Sequence, residues 1–442
     1  MYLRGKNQKQ RGSDFRSLRA QTIVLCALTI VLSLGLLPNL GVARLVHDGR
    51  SSTDPTPVKR AASEPVPVKL VPTDPPPAAT QLFLSMQTNP TAAKVDVSTE
   101  LDYLRDAQLP SGAFRIRPNS NNVIPYWGNY ATIGLGALAL RVPEAAVMGW
   151  RSLDWYAAHQ DPKTGYVQDY VVKGSNEIAT GAYDSTDSYA ATFLVALESM
   201  YNGTTCRTCV EKLLPALTLS IVAIKSTQDS DGLTWAKPEG RVKYLMDQTE
   251  VAAGLRSANR MAILVGDNSL ATKIAGMQQR HDEGLRTMVG DGRTMLWAIA
   301  ANPAVASQFE LPSERSEVDD AVLYPDSFAK VSVSALVPDF AFRAVASSVD
   351  QQPSQTAQQS AQQTSQRTSQ QAAEQYVARW PRWTEDPEVW GFPVLVAWAL
   401  QNSGNSQGAQ AGVAALHGLL LDGYRGTALT VGHVGQLLVL EA

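Results

Sequence analysis

The sequence is short of the residues that most metalloenzymes and nucleic-acid-binding proteins depend on. Of its 442 residues, three are cysteine, five are histidine and 18% are charged. The histidines show no ligand spacing, no HExxH pattern occurs, and the glycines form no phosphate-binding loop. Residues 21–442 hold 40 acidic and 32 basic residues, and a nucleic-acid partner would need a basic face. The sequence therefore predicts no metal site, no cofactor and no nucleic-acid partner.

Long apolar runs are also scarce, and the clearest one lies near the N-terminus. Residues 22–38, TIVLCALTIVLSLGLLP, carry no charge and follow six Lys/Arg residues. We interpret residues 1–21 as a cytoplasmic basic tail and 22–42 as a transmembrane signal anchor, with a cleaved signal peptide as the alternative. Residues 43–94 are predicted to be a linker, extended by eight prolines between 52 and 79. We therefore expect a domain exported across the cell membrane, anchored there or secreted.

Two of the cysteines lie close together in the exported part. Cys206 and Cys209 belong to TTCRTC, whereas Cys26 lies in the apolar run. A four-ligand zinc site would need a second pair of ligands that this region lacks. An oxidising compartment favours a local disulfide between Cys206 and Cys209. Two free thiols or a redox-active pair remain the alternatives.

Residues 95–442 show a helical period of apolar residues, in two alternating types of helix. The first type is charged on one face and should lie on the outside of the domain. The second type is rich in glycine and alanine, poor in charge, and should be buried on all sides. The outer helices are predicted at 97–107, 143–159, 207–228, 267–289, 338–349 and 406–421. The inner helices are predicted at 125–140, 184–201, 246–264, 325–337, 389–402 and 427–441.

The connections alternate in length in the same way. Links that follow inner helices are short, and links that precede them are long and hold aromatic, acidic and glycine residues. Long loops in compact domains often serve function. If the inner helices run parallel around a ring, all the long loops meet at one rim.

The pattern of six outer and inner helical hairpins resembles the six-hairpin glycosidase-like (α/α)6 toroids. The stretches YDSTDSYAATFL and DGLTWAKPEGRVKYLMDQTEV are similar to bacterial extracytoplasmic members of that superfamily. The resemblance covers residues 95–442 and implies an all-α toroid with its substrate cleft at the N-terminal ends of the inner helices. Residues 351–373 depart from the pattern: they hold ten glutamines and one charge, and are predicted to be a disordered insertion.

Paired acids open two of the predicted inner helices. Asp184 and Asp187 are three residues apart, as are Asp247 and Glu250. Both pairs match a capping box, so they could simply close helix ends. In a toroid, however, both pairs would point into one cleft, and glycoside hydrolysis needs two carboxylates across the sugar ring. We therefore take these four acids as candidate catalytic residues, with one working acid drawn from each helix.

Aromatic residues and a lysine accompany the acids. The candidate substrate-binding residues are Tyr126, Trp127, Tyr183, Trp235, Lys237 and Trp390. Together these features predict a membrane-anchored glycoside hydrolase acting on an extracellular or cell-envelope polysaccharide or oligosaccharide, with the envelope's polysaccharide-synthesis machinery as a candidate partner. One alternative is a non-catalytic polysaccharide-binding subunit. Another is a polysaccharide lyase, with Tyr126 as base and Lys237 or Lys243 neutralising a uronate.

Overall fold

The computed structural model describes residues 96–239, 241–289, 298–302, 335–337, 377–378, 393–421 and 429–442. All of them belong to one compact unit, Thr91–Ala442. The predicted anchor at 22–42, the linker at 43–94, the outer helix at 338–349 and the insertion at 351–373 lie outside the described residues. None of the described helices is both long enough and apolar enough to cross a membrane.

The described part of the chain contains ten helices and five short strands. The helices are α1 (Ser98–Ala107), α2 (Pro125–Leu138), α3 (Pro143–His159), α4 (Thr186–Thr204), α5 (Arg207–Thr227), α6 (Leu245–Val265), α7 (Asn268–Val289), α8 (Pro393–Asn402), α9 (Ser406–Leu421) and α10 (Val431–Glu441). The strands are β1 (Asn122–Val123), β2 (Tyr170–Lys173), β3 (Asn176–Ala179), β4 (Val242–Tyr244) and β5 (Ala298–Ala300). The mainly helical class predicted from the sequence is confirmed.

The inner helices form a continuous row. Helix α10 packs on α2, α2 on α4, and α4 on α6, while outer helices α3, α5 and α7 each pack on the inner helix before them. Helix α1 packs on α10, and α9 packs on α8. Val337 joins the apolar cluster of α6, and Ala335 joins that of α8. Residues 335–337 therefore lie between α6 and α8, where the sequence predicts the fourth inner helix.

Small residues allow the inner helices to approach closely. A Cβ atom placed on Gly134 of α2 would lie 2.1 Å from the carbonyl oxygen of Gly435 in α10. The reverse substitution is equally blocked, since a Cβ on Gly435 would lie 2.2 Å from the Tyr130 carbonyl oxygen. The glycine-rich composition of the inner helices is thus a packing requirement.

A glutamine ends each of the first three outer helices and repeats the same contact. The amides of Gln108, Gln160 and Gln228 donate to carbonyl oxygens in the next outer helix, at Met148, Ala216 and Met277 respectively. A glycine with positive φ follows each glutamine within five residues, at 112, 165 and 232, and lies against that same neighbouring helix. The same glutamine and glycine contacts thus join each of these outer helices to the next one.

The long loops contain short antiparallel sheets, which the all-α expectation did not include. Strand β2 pairs with β1 and with β3, and β4 pairs with β5. The β2–β3 hairpin turns through Gly174 and Ser175, with Gly174 at a φ of 62°. Each pairing satisfies backbone groups of an extended loop that would otherwise need water. Strands β1 and β4 directly precede α2 and α6, so the sheets fix the ends of the loops that lead into these two helices.

Candidate active site

Helix α4 begins with a dense set of hydroxyl contacts. Ser185 is the N-cap, and its side chain accepts from the backbone amide of Ser188. The Ser185 hydroxyl donates to Asp187 Oδ1 at 2.5 Å, and the Thr234 hydroxyl donates to Asp187 Oδ2 at 2.6 Å. The alternative in which Asp184 and Asp187 form a capping box is therefore wrong, because Ser185 is the N-cap and Asp187 accepts from two hydroxyls and from the Ser188 amide.

Helix α6 begins without any side-chain cap. Its N-cap is Tyr244, so Asp247 and Glu250 both lie inside the first turns. Glu250 Oε1 accepts from the hydroxyls of Tyr126 at 2.7 Å and Tyr130 at 2.6 Å, both from α2. The capping-box interpretation is wrong here too, because the helix starts too early for these acids to close its end.

Asp187, Asp247 and Glu250 form what we call the acid cluster. Their exposed fractions are 0%, 6% and 1% respectively. The Ser185 hydroxyl links the two helix starts, because its Oγ also lies 3.3 Å from Asp247 Oδ2. Within the described residues none of the three forms an ion pair. Helices α4 and α6 are neighbours that run in the same direction, so their starts bring the two predicted acid pairs together as expected for a toroid.

Burial without cations changes the proton affinities of the acid cluster. Burial raises the pKa of Glu250 to about 8, although the hydroxyls of Tyr130 and Tyr126 oppose the shift. Burial also raises the pKa of Asp187 to about 6, against the hydrogen bonds from Ser185 and Thr234. The pKa of Asp247 is raised well above its usual value by burial first, and then by the charges of Asp187, Glu250 and Asp184. All three shifts are upward, so the surroundings of the acid cluster favour the protonated form of its carboxyl groups.

Two further acids lie nearer the solvent. Asp184 is exposed, and Asp169, from the loop before β2, is half-buried. The Tyr189 hydroxyl donates to Asp169 Oδ1 at 2.9 Å and accepts from the Asp184 amide at 3.3 Å. Burial raises the pKa of Asp169 to about 7, and surrounding protein raises the pKa of Asp184 although its side chain reaches solvent, with Lys237 opposing. Sequence reasoning missed Asp169, which is one of three acids in the long, aromatic-rich loop 160–183.

The predicted aromatic residues fall into two groups. Tyr126 and Trp127 are half-buried at the start of α2, with ring centroids 5.0 Å apart, and Tyr126 also faces the Tyr189 ring at 6.1 Å. Tyr183 lies further out, where its hydroxyl donates to Glu239 and Lys237 Nζ lies 5.3 Å from its ring centroid. The first group borders the acid cluster directly. Trp390 lies outside the described residues.

Lys243 and its two aspartates form a separate unit, which we call the lysine group. Lys243 Nζ contacts Asp229 at 2.9 Å and Asp231 at 2.7 Å, and lies 4.2 Å from the Trp235 ring centroid. The lysine side chain is 3% exposed. Its hydrogen bond lowers the pKa of Asp229. Lys243 and Trp235 therefore stabilise the loop before α6. The lysine charge is paired with Asp229 and Asp231.

A disulfide joins Cys206 and Cys209 at the start of α5, at the opposite end of α4 from the acid cluster. Its Cα atoms are 5.3 Å apart. The Cys206 side chain also accepts from the Cys209 amide and so caps the helix. The bond therefore closes a very short ring at the first turn of α5.

Comparison with known proteins identifies the fold. No family model matches the sequence, and no curated protein matches it either. Among solved structures, the chain is similar to the GH63 mannosylglycerate hydrolase from Thermus thermophilus in complex with glucose, with a TM-score of 0.51 and 11% identity over 78% of this chain and 98% of that one. The same enzyme in complex with Tris gives a TM-score of 0.50 and 12% identity over the same shares of the two chains. The resemblance to the six-hairpin glycosidase toroids is thus confirmed for the fold, which at this identity is all that the likeness shows.

Proposed function

We propose that this chain is a glycoside hydrolase whose catalytic carboxylates come from the starts of α4 and α6. The observation that carries the proposal is the acid cluster: three buried carboxyl groups, from two neighbouring helices, without an ion pair in the described part of the chain. Burying unpaired acids costs stability and is rarely retained for structure alone. Perturbed carboxyl pKa values in a cleft are typical of acid–base catalysis.

Within this site, Asp247 is proposed as the general acid and Asp184 as the general base or nucleophile. Asp247 is the most accessible member of the acid cluster, and burial and neighbouring charges raise its pKa well above its usual value, as a general acid requires. Asp184 reaches solvent and comes from the other helix start, so it can face the opposite side of a sugar ring. Asp187 and Glu250 lie behind them, and the pKa of Asp247 is raised first by burial and then by the charge of Asp187.

The bound sugar would lie against Tyr126 and Trp127, with Tyr183 and Lys237 further along the cleft. Half-buried aromatic rings at the mouth of an acidic recess suit the C–H faces of sugars and give large contact area at low entropic cost. The GH63 structure named above contains glucose, which agrees with a saccharide ligand for this fold. The ionised carboxylate that we propose at Asp184 would repel a polyanion, so we propose a neutral glycan as the substrate.

The two alternatives have less support. For a lyase, the Tyr126 hydroxyl would act as base, but burial and Glu250 raise its pKa well above the usual value, and Lys243 is bound to Asp229 and Asp231. A purely binding subunit would keep the aromatic rings but would not need buried carboxyls that hold protons. The acid cluster therefore favours hydrolysis over both.

The domain is proposed to act outside the cytoplasm. The basic tail and apolar run at residues 1–42 support a signal anchor. The proline-rich linker supports a stalk that carries the domain to an envelope or extracellular polysaccharide. Partners in polysaccharide synthesis remain part of this proposal.

The test is a glycan screen with the purified protein. Neutral and uronate-containing polysaccharides are incubated with the protein, and reducing ends and ultraviolet absorbance are both followed. We expect new reducing ends from a neutral glycan without absorbance from an unsaturated bond. Absorbing products would indicate a lyase, whereas saturable binding without cleavage of any glycan would replace the proposal with the binding subunit.

A further inference from the structure

A second group of ionisable residues lies away from the acid cluster, where the first and last helical hairpins meet. Glu100 comes from α1, His417 from α9 and Glu441 from the last turn of α10. One ligand-type atom from each lies within 4.8 Å of the other two. Glu441 is ten residues along α10 from Val431, or about 15 Å from the end nearest the acid cluster. The group is thus independent of the proposed catalytic site.

Its two carboxylates are buried and incompletely satisfied. Glu100 is 0% exposed, and the Glu441 side chain is 3% exposed. Glu100 Oε1 contacts His417 Nδ1 at 2.6 Å, and Glu441 Oε1 lies 3.9 Å from the same nitrogen. The second oxygens, Glu100 Oε2 and Glu441 Oε2, are buried and have no hydrogen-bond partner within the described residues. Buried carboxylate oxygens without donors cost free energy unless a cation or proton satisfies them.

We propose that Glu100, His417 and Glu441 bind a divalent transition-metal ion, with Zn²⁺ as the best match. Ligand atoms about 2.1 Å from a tetrahedral zinc lie roughly 3.4 Å from one another. The two contacts to His417 Nδ1, at 2.6 and 3.9 Å, lie on either side of that spacing, so a small shift in each side chain would complete the site. The imidazole ligand favours zinc over Mg²⁺ and Ca²⁺, which prefer oxygen.

His417 also provides access to the site. Its side chain is 29% exposed, whereas both glutamates are enclosed. An ion can therefore enter from the His417 side and keep a water as its fourth ligand. Because the three ligands come from three helices, the ion would join α1 to α9 and α10 and link the first hairpin to the last. No sequence pattern signals this group, since Glu100 and His417 are 317 residues apart.

The test uses metal binding and stability, and does not depend on hydrolase activity. Untagged, chelator-treated protein is titrated calorimetrically with ZnCl₂, and melting is followed with and without the ion. We expect one Zn²⁺ per chain with a Kd below about 10 μM, a higher melting temperature with zinc, and no comparable shift with Mg²⁺ or Ca²⁺.

Matched variants identify the ligands. His417→Gln and Glu441→Gln should each weaken zinc binding by at least about 10-fold and remove the melting shift. His159→Gln is the control, because His159 packs on Trp155 and Tyr170 and is not one of the three proposed ligands. The proposal would be overturned by an absence of stoichiometric binding, or by binding that survives in both ligand variants. Should one ligand variant fail to fold, the other decides the outcome.

Discussion

Two sets of acids lie at the same rim of the domain, and their surroundings shift the carboxyl pKa values in opposite directions. In the lysine group, Asp229 and Asp231 contact a buried lysine, and the pKa of Asp229 falls. In the acid cluster, hydroxyl groups and one backbone amide supply the hydrogen bonds to Asp187 and Glu250, and the pKa values rise. In the acid cluster the hydrogen bonds from neutral donors only partly offset burial, whereas the Asp229 side chain is 36% exposed and the hydrogen bond from Lys243 decides its shift.

The comparison separates structural acids from candidate catalytic acids. The acids of an ion pair help to fix a loop, and being ionised they have no proton to transfer to a substrate. A buried carboxyl group that keeps its proton at neutral pH is ready to protonate a leaving group. The amino-acid type is the same in both regions, so the difference comes from what surrounds each carboxylate.

The largest expected effect is on turnover. Asp247→Asn and Asp184→Asn should each lower hydrolysis of the glycan found in the screen by about 10²–10⁴-fold, because each removes one proton-transfer group. Melting should change little for Asp247→Asn, since an amide of the same size replaces a carboxyl group that we propose to be neutral. Kinetics on folded protein measures the effect.

Asp161→Asn is the control for those variants. Asp161 accepts from the amides of Lys163 and Thr164 in an exposed turn and lies outside both sets of acids. Its turnover should equal that of the unchanged protein. Full activity in both cleft variants would contradict the roles assigned to Asp184 and Asp247.

The pH dependence of stability is the next effect. Folding raises the pKa of Glu250 from 4.5 to about 8, so the folded state keeps a proton that the unfolded chain loses. The free energy of unfolding should therefore fall as pH rises from about 4.5 to 8, by about 4 kcal/mol. Glu250→Gln should flatten this decline. Urea unfolding at several pH values measures it, and a stability that rises over this range would argue against a protonated cluster.

In the lysine group, removing the charges of the acids should destabilise the protein. Asp229→Asn together with Asp231→Asn leaves Lys243 buried without its partners, which should cost about 3 kcal/mol. That value is at the lower end for buried pairs because both aspartates reach solvent. Denaturant unfolding at pH 7 measures the loss. An unchanged midpoint would mean that Lys243 is satisfied by other groups.

The disulfide should have the smallest effect. Cys206→Ser with Cys209→Ser opens a loop whose ends are separated by 3 residues in sequence, and the entropic stabilisation from so short a loop is at most about 2 kcal/mol. Turnover should not change, because the bond lies at the end of α4 opposite the acids. A loss of activity on folded protein would point to a redox or metal role.

The helical pattern and the convergence of the acids could be predicted from the sequence, and the details of each acid could not. Apolar periodicity located most described helices closely, as with α4, predicted at 184–201 and observed at Thr186–Thr204. Spacing alone could not distinguish a cap from a cleft residue, because this depended on Ser185 and on where α6 begins. Asp169 and the Glu100–His417–Glu441 group come together only through tertiary packing, which no local pattern encodes.

The central claim is that a carboxyl group of the acid cluster remains protonated at neutral pH. Infrared spectroscopy at pH 7 tests it directly, because a protonated carboxylic acid has a C=O stretch that carboxylates lack. We predict such a band in the unchanged protein, its loss or reduction in Asp247→Asn or Glu250→Gln, and its persistence in Asp229→Asn. Fully ionised carboxylates in the unchanged protein at pH 7 would contradict the claim.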